Sequence, residues 1–417
     1  MKRLLILVAV SVLLTSLAPP AFGALDDLDA GGGAQVASIA SDELPDVDPV
    51  KLGDDLSEAA LEDLATMAEQ DGISLDMAIE RYAWHEHFSM LVASIREAHP
   101  AEFAGARIES DGDPWIAFRS GVPASAVKEI VAASGLVFGT RTLEIEVIED
   151  RGFTEAELDK RLVTAHYAAL DQSEFVANAS SGYDIVTGEV TVEIEPVAAV
   201  ADPADRAALV ETVISTDRRA FEDVTVRVVD EVRGGDASIY GGSALTSCTS
   251  GFAAIKNSTR GMLTAGHCPN TQADGDVDLI HHISYQGEWG DFQLAWPDPS
   301  STWVSDNFYA GSFENDNRDL AGIGTPVDGQ RLCWNGKSTG KKCDDVYELN
   351  HCSWEKCHLT LMEHHYNVGG DSGGPYFYSN TGYGITSGWK FWGWHNRDSF
   401  SPVIYVDDAI GAWIATS

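Results

Sequence analysis

Gly369-Gly370-Asp371-Ser372-Gly373-Gly374-Pro375 is the stretch on which the reading of this chain turns. A serine set among glycines sits on backbone that can take tight, positive-φ geometry. Two backbone N–H groups can then converge on one point beside its hydroxyl. Acyl transfer needs that arrangement, because the tetrahedral intermediate carries negative charge on the former carbonyl oxygen. Each donor fixed there in advance lowers the barrier by about 3 to 4 kcal/mol. A plain Gly-rich turn is the bland alternative, and the length and specificity of the run argue against it.

A serine hydroxyl is a weak nucleophile at neutral pH and needs a base beside it, for which imidazole is suited. Leu263-Thr264-Ala265-Gly266-His267-Cys268 offers one at the end of an apolar run. Alone, His267 would read as an ordinary core histidine next to a structural cysteine. The third group is Asp291, in Trp289-Gly290-Asp291-Phe292-Gln293-Leu294-Ala295. A carboxylate at the head of an apolar strand is partly buried and needs a partner, and holding the tautomer of a catalytic imidazole is such a role. Asp276, Asp278 and Glu288 compete by position but lack the apolar run that follows.

The order His, Asp, Ser, with Thr264-Ala265-Gly266-His267-Cys268 and Gly370-Asp371-Ser372-Gly373-Gly374-Pro375, resembles the chymotrypsin family of serine proteases. Within it the chain looks most like the secreted bacterial streptogrisin and α-lytic protease group. Gly234-Gly235-Asp236-Ala237 and Ser247-Cys248-Thr249-Ser250-Gly251-Phe252 resemble the start of those enzymes. Cys333-Trp334-Asn335-Gly336-Lys337-Ser338-Thr339-Gly340 resembles a stretch between their lobes, and Thr386-Ser387-Gly388 their substrate-binding strand. The resemblance implies two six-stranded antiparallel β-barrels with the site in the cleft between them. His267 and Asp291 would lie on one side and Ser372 on the other. It also implies an oxyanion hole from the N–H groups of Gly370 and Ser372, and no cofactor or metal.

The rest of the chain fits an exported precursor. Lys2 and Arg3 precede an apolar run from Leu4 to Leu17, then Pro19, Pro20, Ala21 and Gly23, the pattern of a secretory signal peptide. The expected division is a signal peptide at 1–23, a propeptide at 24–231 and a protease domain at 232–417. Composition changes near residue 232. About 44 acidic and 16 basic residues lie before it, whereas all six cysteines and eight of the twelve histidines lie after it. Before the break, Ser74 caps a helical pattern through Leu75, Ile79 and Tyr82, continued by Phe88, Leu91, Val92 and Ile95. Trp115 to Phe118 reads as a strand, and Tyr183 to Ile194 as a hairpin about Thr187-Gly188. Asp202 and Pro203 open another helix, and Val224, Val226 and Val228 alternate as a last strand. This is an α+β region with an acidic, flexible start from Leu25 to about Asp54. After the break, short apolar runs alternate with Gly-, Asn- and Ser-rich turns, an all-β pattern with one short helix from Val406 to Ile414. In the resembling group the preceding region assists folding and inhibits the enzyme until cleaved, here near Glu231-Val232-Arg233.

Six cysteines (Cys248, Cys268, Cys333, Cys343, Cys352, Cys357) in an exported chain read as disulfides. Fifteen pairings are open, and sequential pairing is the working expectation. A net charge of -38 argues against nucleic acid as partner. The expected product is a secreted, monomeric serine endopeptidase with no membrane anchor after signal cleavage. It acts on proteins or peptides and is inhibited by its own propeptide. The rival readings are an inactive protease-like binding protein and a secreted esterase using the same three residues.

Three features depart from the group's pattern. Trp334 replaces an arginine that pairs with the aspartate beside the nucleophile, so Asp371 needs another partner; Lys337 and Arg331 are candidates. A cysteine common before the nucleophile is Val368 here, and Cys352 and Cys357 stand close together instead. The substrate pocket, expected from Tyr366, Ser387, Gly388, Trp389 and Asp398, is unusual. Trp389 stands where a small residue admits a side chain. Asp398 either lines the far wall or sits in a surface turn, so no cleavage preference is assigned. His281-His282 and His364-His365 read as solvated loop residues, since neighbours on a strand face opposite ways and chelate poorly.

Overall fold

The computed structural model describes residues 56–138, 140–232, 234–235, 245–275, 277–298, 304–311 and 317–417. The expected signal peptide at 1–23, the acidic start up to Asp54, Arg233 of the expected junction, Asp236-Ala237 and Asp276 lie outside them.

The region before residue 232 opens with a helix that periodicity did not flag, Glu58–Asp71. The Ser57 hydroxyl accepts a hydrogen bond from the Ala60 N–H, and Gly72 in the left-handed conformation ends the helix. The Ser74 cap is as read from sequence: its hydroxyl accepts from the Met77 N–H and opens helix Leu75–Tyr82. Helix His85–Ala98 follows and buries Phe88, Val92 and Ile95. Helices Ala124–Ala133 and Glu155–Leu170 were not anticipated. The second carries a capping box, in which Thr154 and Glu157 each bond the other's backbone, so its start was readable. Asp202 caps helix Pro203–Thr216. Strands Val176–Tyr183 and Val190–Pro196 form the expected hairpin, and Val224–Val228 joins the latter in parallel. Val192 and Ile194 pack on Ala165, Ala169 and Val213 of the helices above.

From residue 245 the chain is almost entirely strand. One sheet has six strands in the order Thr271–Asp274, Val277–Gly287, Gly290–Asp298, Thr259–Thr264, Ala253–Lys256 and Trp413–Ile414. In the second lobe Arg331–Gly336, Pro375–Tyr378, Thr381–Trp392, His395–Pro402, Lys356–Met362 and Gly340–Ser353 pair in turn. The last pairs back with the first, closing a ring. The expected helix from Val406 to Ile414 is shorter than read. It stops at Ile410 because Gly411 turns to φ 61, and Trp413–Ile414 returns as an edge strand beside Ala254 and Ile255.

The two parts share a sheet. Ser180 and Ser181 pair with Ser353 and Cys352 on strand Gly340–Ser353, so the hairpin before residue 232 continues the second lobe's strands. The cysteines pair sequentially: Cys248–Cys268, Cys333–Cys343 and Cys352–Cys357. No helix among the described residues is long and apolar enough to cross a membrane.

Candidate active site

Three elements meet at the cleft between the lobes. Strand Thr259–Thr264 delivers the turn Ala265-Gly266-His267, tied down by the Cys248–Cys268 disulfide and by a bond from the Cys268 N–H to the Ala265 carbonyl. The hairpin of Val277–Gly287 and Gly290–Asp298 delivers Asp291 from its second strand. The Asp291 carboxylate presses against residue 266. A Cβ there would lie 2.8 Å from Asp291 Oδ1 and 2.3 Å from the Tyr285 carbonyl oxygen, so only glycine fits. That is why Gly266 precedes His267. The rivals fall elsewhere: Asp278 pairs with Asp298 near the far end of the hairpin, and Glu288 sits in its tip.

The structure brings His267, Asp291 and Ser372 together. His267 Nε2 lies 2.8 Å from Ser372 Oγ, and His267 Nδ1 lies 2.6 Å from Asp291 Oδ2. The backbone N–H of His267 donates to Asp291 Oδ1 at 2.9 Å, so both carboxylate oxygens orient this residue. Asp291 and Ser372 are fully buried. Burial alone would push the Asp291 carboxyl up. His267, the Lys356 ammonium and the hydrogen bonds from His267 and Ser387 outweigh it and hold the group well below the usual carboxylate range.

Thr249 fixes the backbone around Ser372. Its hydroxyl donates to the Gly370 carbonyl at 2.7 Å, and its N–H donates to the Ser372 carbonyl at 2.7 Å. The peptide planes that carry the proposed oxyanion donors are anchored by other groups: the Gly369 carbonyl accepts from the Ser338 hydroxyl at 2.8 Å, and the Asp371 carbonyl from the Gly374 N–H at 2.9 Å. Sequence reasoning quoted Thr249 but gave it no role. Lys356 was missed altogether: its ammonium lies 3.2 Å from Asp291 Oδ2, and both groups are fully buried.

No family model matches the chain. Streptogrisin-C of Streptomyces griseus is 26% identical over 373 residues, covering 85% of this chain and 74% of that protein. Serine protease 1 of Streptomyces fradiae is 29% identical over 245 residues, covering 56% of this chain and 64% of that one. Among solved structures, Thermobifida fusca protease A is 23% identical and Cellulomonas bogoriensis chymotrypsin 24%. Each match covers 45% of this chain and 99% of the other, with a TM-score of 0.34. The chain is a serine peptidase similar to these bacterial enzymes.

In this peptidase several site expectations are corrected. Neither Lys337 nor Arg331 pairs with Asp371. Arg331 turns to Asp71 and Asp345, and the Lys337 ammonium to the Leu245 carbonyl. Asp371 is fully buried and takes four neutral donors: the N–H groups of Ser338, Thr339 and Val368, and the Thr339 hydroxyl. Backbone donors satisfy a buried carboxylate without the desolvation cost of a second ion. Trp334, in the place of the expected arginine, instead stacks on Tyr376 at 5.3 Å.

Asp398 neither lines a pocket wall as a free charge nor sits in a surface turn. It is fully buried on strand His395–Pro402 and accepts from His365 Nδ1 and from the N–H groups of Tyr366 and Asn367. It therefore anchors the loop leading to Ser372. The Ser387 hydroxyl donates to Asp291 Oδ2 at 2.7 Å. The strand register shifts between Thr386 and Gly388, the kind of irregularity that re-aims side chains beside an active site. Trp389 lies 5.3 Å from the His365 ring, and Tyr366 is 44% exposed. Both aromatics keep part of their surface in solvent. Of the two histidine pairs, His364-His365 lies in a loop as read, with His364 exposed, whereas His281-His282 does not. His364 bonds Asp344, His365 bonds Asp398, and His281-His282 lie on strand Val277–Gly287, where His282 stacks on Trp296.

Proposed function

We propose that the protein is a secreted endopeptidase made as a zymogen, with Ser372 as nucleophile, His267 as general base and acid, and Asp291 as the group that orients the imidazole. The observation that carries this reading is the continuous hydrogen-bonded line from Asp291 Oδ2 through both His267 nitrogens to Ser372 Oγ. His267 takes the serine proton as Ser372 attacks the substrate carbonyl, and returns it to the leaving amine. Asp291 keeps the proton of the resting imidazole on Nδ1 and stabilises the imidazolium. The N–H groups of Gly370 and Ser372 receive the oxyanion, and water then releases the acyl group by the same route in reverse.

The region from 24 to 231 serves as the propeptide, and two features support it. Gly234–Gly235 pairs antiparallel with Trp389–Lys390, the edge along which an extended substrate would add as a strand. Ser372 is fully buried in the intact chain, which suits a latent precursor. Ser372→Ala is expected to abolish hydrolysis of a protein substrate and to leave the uncleaved precursor folded. Full activity in that variant, followed with a fluorogenic peptide library, would remove the reading.

A further inference from the structure

The strand Lys356–Met362 belongs to the second lobe, yet one of its faces reaches the first. Side chains alternate along a strand, so Lys356 and His358 share a face. His358 Nδ1 bonds the Glu288 carbonyl at 2.6 Å, and its ring stacks on Trp289 at 4.8 Å. Two residues back, the Lys356 ammonium lies 3.2 Å from Asp291 Oδ2. One face of this strand therefore clamps Glu288–Asp291 from across the cleft. A lysine has no reason to be fully buried at the head of a fully buried strand unless a charge is waiting for it, because desolvating an ammonium costs several kcal/mol.

The oxygen it reaches is the one His267 uses. Asp291 Oδ2 takes His267 Nδ1, the Ser387 hydroxyl and Lys356 Nζ together. His267 and Lys356 are the charged groups that act on this carboxylate. The other titratable groups nearby are engaged elsewhere. His358 is paired with Asp159 of helix Glu155–Leu170, and Asp398 with His365. From strand His395–Pro402 the neutral Ser401 hydroxyl receives the Asp291 N–H.

We propose that Lys356 is a positioning residue of the site, holding the Asp291 carboxylate in place and taking up part of its charge, so that it sets the pH range in which His267 works as a base. This rests on the assignment of His267, Asp291 and Ser372 given above. A carboxylate shared with an ammonium stabilises an imidazolium less than one that faces the histidine alone. The enzyme is then expected to stay active further into the acid range.

The device is carried by a built hairpin. Ser353 pairs with Lys356 across a tip of Trp354 and Glu355, and the Cys352–Cys357 disulfide spans it. The region before residue 232 grips the same tip. His166 Nε2 lies 2.8 Å from the Trp354 carbonyl oxygen, and the Tyr167 hydroxyl donates to that of Glu355. Helix Glu155–Leu170 thus braces the turn that places the ammonium, and the disulfide keeps its register.

The test is the pH profile of kcat/KM for peptide hydrolysis by the processed full-length product, with active sites counted by a serine-directed phosphonate. Lys356→Met removes the charge and keeps the length of the side chain. Its acid limb is expected to move up by about one pH unit, while Lys356→Arg keeps the wild-type limb. Lys356→Gln gives the same comparison if the methionine variant does not accumulate as folded protein. A purely structural lysine would lower the number of labelled sites and leave the limb where it was. An unmoved limb in a fully labelled charge-deleted variant, or an equal shift in Lys356→Arg, overturns the proposal. Absence of labelling and hydrolysis in the wild type contradicts the site assignment instead, so the two failures are distinguishable.

Discussion

Asp371 illustrates what one residue needs and how little of it a sequence displays. That a carboxylate beside the nucleophile is buried and wants partners was readable from the motif. Which partners it has was not, because three of its four donors are backbone N–H groups with no side-chain signature. Gly336 shows the same constraint from the other side: a Cβ there would lie 2.3 Å from Asp371 Oδ1. Asp371→Ala in a Ser372→Ala background leaves these donors buried and unpaired. It should cost about 3 kcal/mol of stability in urea denaturation; a loss under about 0.5 kcal/mol would mean that water replaces the carboxylate freely. Lys356 was illegible for a different reason. A single lysine beside a cysteine has the appearance of a hairpin-tip charge, and only the fold brings Asp291 to it. His267, Asp291 and Ser372 were legible because each motif carries its own steric requirement, as Gly266 does for Asp291.

Elements were readable where local chemistry sets their ends. Ser74 and Asp202 cap helices with their own oxygens, and the hairpin around Gly188 shows in the alternation of Val190, Val192 and Ile194. Helix Glu58–Asp71 escaped notice because its buried face is mixed with charge. Asp63 on that face is fully buried, and it is matched by Arg318 at 2.9 Å and Lys341 at 2.6 Å from the second part of the chain. The C-terminal helix was overextended, since Ile414 fits a helical face as well as the edge strand it joins. The disulfides differ in how much each element depends on them. Cys352–Cys357 spans 5 residues and Cys248–Cys268 spans 20. Loop-closure entropy gives about 2 kcal/mol for the first and about 3 kcal/mol for the second. Paired alanine substitutions should therefore lower stability less at 352 and 357 than at 248 and 268, measured by denaturation of the inactive variant. The reverse order would show that Cys352–Cys357 also holds the Lys356 hairpin against strain.

At the scale of the molecule, the two compositionally distinct parts meet through buried acids. Glu348 lies where Gly182 packs against it, and it accepts from Trp392 Nε1 at 2.8 Å. Burial pushes its carboxyl up to about 8. Asp328 lies 3.8 Å from Arg107, and burial raises it to about 8 as well, despite that cation. A carboxyl raised on folding binds a proton that the unfolded chain has already released. Its contribution is fully present below about pH 4 and is lost as pH rises through about 8. The intact chain should thus unfold at progressively lower temperature between pH 5 and 8. Glu348→Gln should flatten that decline while keeping the Trp392 bond. An unchanged slope would mean that Glu348 is solvated. Sequence could not foresee this contact: the change of composition near residue 232 suggested two parts, but not that Ser180 and Ser181 continue the sheet of the second.

Everything about the site depends on Ser372 being the group that attacks. The most direct measurement is reaction of the processed protein with a serine-directed phosphonate, followed by peptide mapping and an assay of peptide hydrolysis. One phosphonate per chain on Ser372, with hydrolysis lost in proportion, is the result predicted. A folded, processed protein that takes up no label and cleaves no peptide, with His267, Asp291 and Ser372 intact, would contradict it.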